Sequence, residues 1–249
     1  MNTPSRPRAT KIICTIGPAT DTSDMLGQLI EAGANVFRLN MSHSKHDWVR
    51  EVVFRIRRKA ADLEANVAIL FDLQGPSIRT GDLAEPYHLK KGDTVEIRLG
   101  TAKPELPFST TVNYDGLLQD VQAGHTMVVD NGGILMRIAE VRPDRLICDV
   151  LTEGVFGSRR HINLPGVALR LPALTEKDLA DLAVAVECET DYVAMSFVRD
   201  AAHIAQLREH IDNLGGKAQI VAKIEDQQAV RHIDDIICLL YTSDAADEL

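Results

Sequence analysis

Short apolar runs alternate with amphipathic stretches over the first eighty residues of the chain. This pattern predicts strands at about 11–16, 35–39 and 67–72, and helices near 23–32 and 46–65. Ser23 or Asp21 can cap the first helix, and Gly33 can end it. Strands that alternate with helices of this length are typical of parallel βαβ units.

The periodicity changes between about residues 82 and 166, where apolar and polar positions alternate in steps of two. Turn signals near residues 91 and 131 separate predicted strands at 93–99, 126–130, 134–138 and 146–150. After Pro172 the first pattern returns, with helices predicted at 176–187 and 201–213 and strands at 192–197 and 219–224. The sequence therefore predicts an α/β domain that is interrupted by a small all-β domain.

Composition narrows the functional class only slightly. Apolar residues make up 45% of the chain, and 36 acidic against 27 basic side chains give a net charge of −9, which argues against nucleic-acid binding through bulk charge. No apolar run is long enough to cross a membrane, and no secretory signal is recognisable, so a cytoplasmic location is expected by elimination. The scattered cysteines are expected to be buried and reduced, without disulfide or zinc roles: Cys14, Cys148, Cys188 and Cys238.

Polar side chains alternate with apolar ones at the end of the second predicted strand. A strand continuing through this segment would place Arg38, Asn40 and Ser42 on one side, because successive side chains point to opposite faces. The other side would carry Phe37, Leu39 and Met41 into apolar packing. A guanidinium, an amide and a hydroxyl would then line one wall, although strand-end turn capping is the commoner role for Asn and Ser.

Two charges stand two residues apart on the last predicted strand. Lys223 and Glu225 would share one face of an otherwise apolar segment. Such a pair is usually a solvated surface ion pair, but an apolar strand has little reason to carry it unless a site uses it. A carboxylate there can hold a divalent cation, and an ammonium can neutralise charge on a phosphoryl group. Arg38 and Arg79 are the candidate phosphate clamps, because a planar guanidinium matches phosphate oxygens.

Three segments, at 11–18, 38–43 and 72–80, resemble the start of the pyruvate kinase family, and the resemblance runs from about residue 9 to residue 237. It implies a (β/α)8 TIM-type barrel interrupted after its third strand by a small all-β barrel lid domain. The implied parts are barrel at 1–81, lid at 82–166 and barrel again at 167–237. Only five of the eight barrel strands are counted, so an incomplete barrel is expected. The final segment, 238–249, departs from the family and is expected to be non-native.

The resemblance also implies roles for individual residues. Lys223 would stabilise the transition state, Arg38 would bind substrate phosphate and Arg79 would approach the transferred group. Glu225 would bind Mg²⁺ or Mn²⁺. Contacts to substrate or nucleotide are implied for Asn40, Met41, Ser42, His43, Arg160 and Ser196, with barrel packing an open alternative for Ser196. The implied K⁺ ligands are Asn40, Ser42, Asp72 and the carbonyl of Leu73, an all-oxygen set suited to a hard cation.

Three positions depart from the family pattern. Arg160 stands where the family has a lysine, and His161 follows it in place of a usual glycine. Ser77 stands where the family has glutamate in potassium-dependent enzymes or lysine in independent ones. A neutral hydroxyl cannot replace a cation, so the sequence favours potassium dependence.

The function implied is transfer of a phosphoryl group from phosphoenolpyruvate to ADP, giving pyruvate and ATP, by a full-length homotetramer without nucleic-acid or membrane partners. A fragment that binds phosphate ligands without turnover, or a magnesium-dependent enolpyruvate lyase-like barrel, remains an alternative. The lyase would share the Lys223 and Glu225 chemistry but would explain neither the β insertion nor the Arg79 segment. The 249-residue chain itself is expected to be inactive and aggregation-prone, because five strands leave two open edges.

Overall fold

A computed structural model of the chain describes residues 9–130, 132–225 and 227–245. The elements in chain order are β1 Ile13–Ile16, α1 Ser23–Glu31, β2 Val36–Asn40, α2 His46–Asp62, β3 Ala68–Asp72, β4 Tyr87–Leu89, β5 Thr94–Arg98, β6 Phe108–Thr111, α3 Leu117–Asp120, β7 Thr126–Val129, β8 Ile134–Val141, β9 Arg145–Val150, β10 Gly154–Phe156, β11 Ile162–Asn163, α4 Glu176–Glu187, β12 Tyr192–Met195, α5 Ala201–Asn213, β13 Gln219–Ala222, α6 Gln227–Arg231 and α7 Ile233–Ala245.

The chain divides into two compact units. The first contains the residues up to Gly75 and those from Ala173 onward, and the second contains Pro76–Pro172. The domain limits at 82, 166 and 238 that the sequence suggests stay predictions.

The first unit is built on one parallel sheet, with the strand order β1-β2-β3-β12-β13. Every neighbouring pair is parallel, with Arg38 opposite Thr15 on one side and Leu70 on the other. Because the strands are parallel, their carboxyl ends all meet at one edge of the sheet. The α/β class predicted from the sequence is confirmed, whereas the interrupted TIM-type barrel stays a prediction.

The buried side of this sheet follows the apolar positions of the sequence. Phe37, Leu39 and Met41 are each 0% exposed and pack in one core cluster with the inner faces of the helices. Each helix contributes the apolar stripe that its 3.6-residue period provides; on α2 this stripe includes Val49, Val52 and Ile56. The predicted apolar packing of alternate residues in β2 is therefore confirmed.

The start of α1 corrects one expectation. The N-cap is Thr22, whose hydroxyl accepts a hydrogen bond from the Met25 backbone N–H at 3.3 Å, so neither Asp21 nor Ser23 has that role. Ser23 is already the first helical residue, and a cap must stand just outside the helix with extended dihedrals. Gly33 follows the helix with φ +95°, a conformation that glycine adopts without steric cost.

The second unit contains a six-stranded sheet and a two-stranded sheet. The larger has the order β11-β7-β8-β9-β5-β6, in which only the β5–β6 pair is parallel, and the smaller pairs β10 with β4. The sequence anticipates strands here; the structure adds the one-turn helix α3. A buried ion pair joins Glu96 to Arg145, with the Arg145 guanidinium 2.8 Å from Oε2 of Glu96.

The burial of the cysteines differs from what the sequence predicts. Among the four, only Cys148 is buried; Cys14 and Cys188 are partly exposed and Cys238 is exposed. Burial in the apolar core of the second unit raises the pKa of Cys148 to about 12. Across the described residues, no helix is both long and apolar enough to cross a membrane.

Candidate active site

Four charged or polar side chains lie at the carboxyl ends of neighbouring strands of the first unit. Arg38 belongs to β2, Asp72 is the last residue of β3, Ser196 follows β12, and Lys223 follows β13. In open parallel α/β sheets, ligands bind at this edge. The register places Asp72 directly opposite Asn40 on one neighbour and Ala194 on the other.

The carboxylate of Asp72 joins the two cations of this group. Its Oδ2 lies 2.5 Å from Nη2 of Arg38 and 2.7 Å from Nε, and its Oδ1 lies 3.1 Å from Nζ of Lys223. The Asp72 side chain is 4% exposed, whereas those of Arg38 and Lys223 are 31% and 30% exposed. One buried carboxylate therefore orients two accessible cations. With Glu225, which lies 3.3 Å from Nζ of Lys223, the four charged side chains have no net formal charge.

Arg38 is held from a second side. Its Nη1 donates to the hydroxyl of Thr15 at 2.9 Å, which is the residue directly opposite it on β1. The guanidinium is thus fixed in its plane by Thr15 and Asp72 together, as a bidentate anion ligand requires. Thr15 was not singled out from the sequence, where one threonine in an apolar strand gives no distinguishing signal.

The side chains of Lys223 and Glu225 lie close together, as the sequence predicts, but not because they share one face of a strand. Strand β13 ends at Ala222, so both residues lie in the segment after the strand and strand alternation does not align them. The Lys223 backbone N–H still donates to the Met195 carbonyl at 3.0 Å, but beyond it pairing stops because β12 ends at Met195. Nζ of Lys223 nevertheless lies 3.3 Å from Oε1 of Glu225.

Ser196 and Phe197 hold these two side chains in place. The Ser196 side chain, 3% exposed as a residue, accepts from Nζ of Lys223 at 2.7 Å and donates to the Leu73 carbonyl at 2.7 Å. The Phe197 backbone N–H donates to Oε2 of Glu225 at 3.0 Å. Phe197 adopts φ +56°, a left-handed conformation that is unusual for a non-glycine residue and often occurs at functional sites.

The segment after β2 corrects the expected wall of Arg38, Asn40 and Ser42. The strand ends at Asn40, and residues 41–43 form a turn, so Ser42 does not continue the alternation. Oδ1 of Asn40 accepts from the Ser42 backbone N–H at 3.1 Å, which is the turn-capping role. The Met41 side chain is buried, its carbonyl accepts from Nζ of Lys177 at 2.7 Å, and His43 is exposed.

Three of the four residues assigned to K⁺ from the resemblance have those oxygens bonded within the protein. Asp72 contacts Arg38 and Lys223, the Leu73 carbonyl accepts from Ser196, and Oδ1 of Asn40 accepts from the turn. Among the described residues, no three His, Cys, Asp or Glu side chains are grouped so that they could hold a metal ion. Oxygen ligands of this kind suit a hard cation, but in this structure the oxygens of Asp72, Leu73 and Asn40 also accept hydrogen bonds from the protein itself.

Arg79 and Arg160 lie in the second unit. Nη1 of Arg79 donates to the Arg159 carbonyl at 3.1 Å, and its Nε contacts the Ser77 hydroxyl at 3.3 Å. Nη1 of Arg160 lies 3.3 Å from Asp130, and its Nε is a buried atom without a hydrogen-bond partner among the described residues. That Arg79 joins the first-unit cluster, and that Arg160 contacts the nucleotide, stay predictions.

Helix α4 contributes a group that sequence reasoning missed. Asp178 and Asp181 are each 0% exposed, which is rare for carboxylates. Asp181 lies 2.6 Å from Nζ of Lys177 and 2.7 Å from Nε2 of His46, so it ties α4 to the start of α2 and, through Lys177, to the turn at Met41. The available signal was Thr175-x-x-Asp178, a capping-box spacing that predicts a helix start but no tertiary contact.

The fold and the cluster define a parallel α/β protein with a group of charged side chains at the carboxyl ends of its strands. Comparison with known proteins gives the family: residues 7–245 match the model described as pyruvate kinase, barrel domain. The chain belongs to the pyruvate kinase family. The match reaches into residues 238–249, the segment that the sequence alone suggests is foreign.

Relatives from plants and bacteria agree with this assignment. The chain is 37% identical over 237 residues to plastidial pyruvate kinase 2 of Arabidopsis thaliana, and 36% identical over 234 residues to the chloroplastic pyruvate kinase isozyme G of Nicotiana tabacum. It is 35% identical over 233 residues to pyruvate kinase of Staphylococcus aureus strain MRSA252. These alignments cover 92–94% of the chain but only 40–41% of each relative. The chain therefore spans about 40% of the length of these relatives.

Proposed function

We propose that this chain forms the part of a phosphotransferase that carries the phosphoryl group from phosphoenolpyruvate to ADP. The observation that supports this most directly is the bridge of Asp72 between Arg38 and Lys223. It presents two oriented, accessible cations at the ligand-binding edge of the sheet. Little covalent chemistry is needed from the protein in phosphoryl transfer, so positioning and charge neutralisation carry the catalysis.

Each cation has a distinct part in this proposal. Arg38, fixed by Thr15 and Asp72, binds the phosphoryl oxygens of the substrate. Lys223, held by Ser196, Asp72 and Glu225, stabilises the charge that develops on the transferred group and on the enolate oxygen. Arg79 joins them as a third positive group. Asn40, Ser42 and His43, with the Arg160 guanidinium, contact the nucleotide.

Glu225 is suited to holding Mg²⁺ or Mn²⁺. Its side chain is 34% exposed, and divalent magnesium is typically bound by one or two carboxylates together with substrate phosphate oxygens and water. When bound, the ion neutralises charge on the phosphoryl oxygens. The backbone N–H of Phe197 and the ammonium of Lys223 fix the orientation of this carboxylate in advance.

K⁺ would be held by Asn40, Ser42, Asp72 and the Leu73 carbonyl. Ser77 contributes a neutral hydroxyl near Arg79 and supplies no charge that could replace the ion. We therefore propose potassium dependence for the protein extended to the length of its relatives. Replacing K⁺ by a bulky organic cation at matched ionic strength should abolish most activity; undiminished activity would refute this part of the proposal.

The main experiment compares wild type with Lys223→Met in the protein extended to the length of its relatives. Formation of ATP from phosphoenolpyruvate and ADP should fall by several orders of magnitude, about 10³-fold or more, while binding of phosphoenolpyruvate stays within a few-fold. Lys217→Met, at an exposed position of the same unit, is the control and should keep normal turnover. Near-normal turnover of Lys223→Met would contradict the assigned role, and a wild type without ATP formation would refute the proposed reaction.

The second candidate is binding of phosphate ligands without turnover. It applies to the 249-residue chain itself, because that chain spans about 40% of its relatives. Binding of phosphoenolpyruvate by this chain without ATP formation would support it. The homotetramer and the cytoplasmic location also stay proposals, and two of the named relatives carry plastid names.

A further inference from the structure

Asp178 makes one more contact than its position in a helix cap requires. Its Oδ2 accepts from the backbone N–H and the hydroxyl of Thr175, at 2.9 and 2.6 Å, and this completes the capping box of α4. Its Oδ1 accepts from the backbone N–H of Gly75 at 3.0 Å, a residue 103 positions away in the sequence. The bond is buried, and Asp178 is 0% exposed.

Gly75 packs directly against the pair of residues that follow β12. It has φ +69°, and a Cβ added there would lie 3.0 Å from Cβ of Ser196 and 3.1 Å from both Cδ2 of Phe197 and the Ser196 carbonyl oxygen. At these distances Ser196 and Phe197 would have to shift to admit even a methyl group, and the positive φ adds strain for any side chain. The bond from Asp178 therefore fixes a backbone segment that lies against Ser196 and Phe197.

Ser196 and Phe197 are the residues that hold the two charges after β13. The Ser196 hydroxyl contacts Nζ of Lys223 at 2.7 Å, and the Phe197 N–H contacts Oε2 of Glu225 at 3.0 Å. An unbroken series of contacts thus runs from Asp178 through Gly75 to the ammonium and the carboxylate. None of these steps uses Asp72 or Arg38, so the series reaches Lys223 by a route other than its ion pair with Asp72.

We propose that Asp178 is a positioning residue for Lys223 and Glu225, acting through Gly75 on Ser196 and Phe197. The inference rests on the proposed phosphotransferase function for its kinetic consequence, but the contact series stands independently of it. A carboxylate in a fully buried position is costly unless its oxygens are hydrogen-bonded. Without Asp178, the Gly75 N–H would lose its partner, and the Ser196–Phe197 segment would lose the backbone against which it packs.

The competing explanation is that Asp178 serves only the capping box. Thr175→Ala separates the two roles, because it removes the hydroxyl of the cap but leaves the Asp178–Gly75 bond in place. Asp178→Ala removes both. Asp178→Asn is the conservative variant for the bond to Gly75, since its carbonyl oxygen can still accept from the Gly75 N–H. Its NH₂ group can donate to the Thr175 hydroxyl, but the Thr175 backbone N–H loses its acceptor.

The first test measures amide hydrogen exchange in the 249-residue chain. In Asp178→Ala we expect the amides of Gly75 and Phe197 to exchange about 10-fold faster or more, because each depends on the Asp178 bond or on the segment it fixes. In Thr175→Ala only amides in the first turn of α4 should exchange faster. In Asp178→Asn the protection of Gly75 and Phe197 should largely return. Unchanged exchange at Phe197 in Asp178→Ala would overturn the proposal.

The second test measures kinetics in the protein extended to the length of its relatives. Asp178→Ala should lower kcat by about 10- to 100-fold, since small misplacements of catalytic groups cost this much, and should change the KM for phosphoenolpyruvate much less. Thr175→Ala should keep most of kcat, and Asp178→Asn should recover most of it. Equal losses in Thr175→Ala and Asp178→Ala would show that the cap alone matters and would refute the proposal.

A further variant covers the case in which Asp178→Ala does not fold. Gly75→Ala leaves the capping box intact but places a methyl group against Ser196 and Phe197, so it should reproduce the fall in kcat and the faster exchange at Phe197. Normal kinetics and exchange in Gly75→Ala would overturn the proposal. If the wild type forms no ATP, the proposed function fails, and the exchange experiment alone still decides whether Asp178 orders the segment.

Discussion

Substitution of Asp72 by asparagine should destabilise the first unit more than the loss of any surface ion pair. Asparagine keeps the shape of the side chain, but its single carbonyl oxygen can face only one of Arg38 and Lys223. Its NH₂ group then points a donor at the other cation. The side chain is 4% exposed, so water cannot readily replace the lost interactions at Asp72 itself.

The size of the effect follows from burial. Breaking a fully buried ion pair costs about 3–5 kcal/mol, because one charge is left without compensation. Here the remaining cations are 31% and 30% exposed, so solvent screens part of that cost. We therefore expect the free energy of unfolding to fall by about 1–3 kcal/mol. With a urea slope of about 2–3 kcal/mol per molar, the unfolding midpoint should fall by about 0.3–1.5 M.

Tryptophan fluorescence makes this measurement specific to the first unit. Trp48 is the only tryptophan in the sequence; its indole N–H donates to Asp21 at 2.7 Å, and its ring packs against the first core cluster. The matched control is Glu51→Gln, which removes an exposed pair with Arg55 one helical turn away and should cost no more than about 0.5 kcal/mol. Equal midpoints for the two variants would show that the Asp72 bridge adds nothing and would refute this reasoning.

Three further predictions concern other groups. Lys177→Met should lower the free energy of unfolding of the first unit by about 1–2 kcal/mol in the same assay, because the buried Asp181 and the Met41 carbonyl lose a charged donor. An unchanged unfolding midpoint would contradict this prediction. Cys148, whose pKa burial raises to about 12, should resist iodoacetamide at about pH 8 until denaturant is added, whereas the exposed Cys238 should react, as peptide mass spectrometry can show. Burial and the hydrogen bond to Asp120 raise the pKa of Tyr114 to about 12. The contribution of this raised pKa to stability should therefore be complete below pH 10, the ordinary pKa of tyrosine, and should disappear as the pH rises toward 12. An ultraviolet titration should show a late tyrosine step that Tyr114→Phe removes, and its absence would refute this prediction.

The local elements were predictable because their signals are local. The helices 176–187 and 201–213 were predicted with the limits that the structure shows. Strand ends were less predictable: β12 and β13 end at Met195 and Ala222, earlier than their apolar runs suggest. Apolar composition continues past the point where hydrogen-bonded pairing stops, so a sequence pattern overestimates the strand.

The candidate site was predictable in its charged members but not in its contacts. Arg38, Lys223 and Glu225 stand out because charges interrupt apolar strands. Asp178 does not, since its spacing from Thr175 already has a sufficient local explanation as a capping box. Its second bond, to Gly75, depends on tertiary packing that no short sequence window contains. The same limitation led to the expected wall at Ser42, where a turn replaces the strand.

The register of the parallel sheet decides whether the site exists. Thr15 can orient Arg38 because the two residues face each other across β1 and β2, and Asp72 reaches Arg38 because β3 ends opposite Asn40. A slip of one residue between β2 and β3 would turn Arg38 toward the core, where Phe37 and Leu39 are fully buried. The apolar residues that flank Arg38 thus do more than stabilise the fold. They fix the one register in which a single buried carboxylate contacts both cations at the carboxyl edge of the sheet.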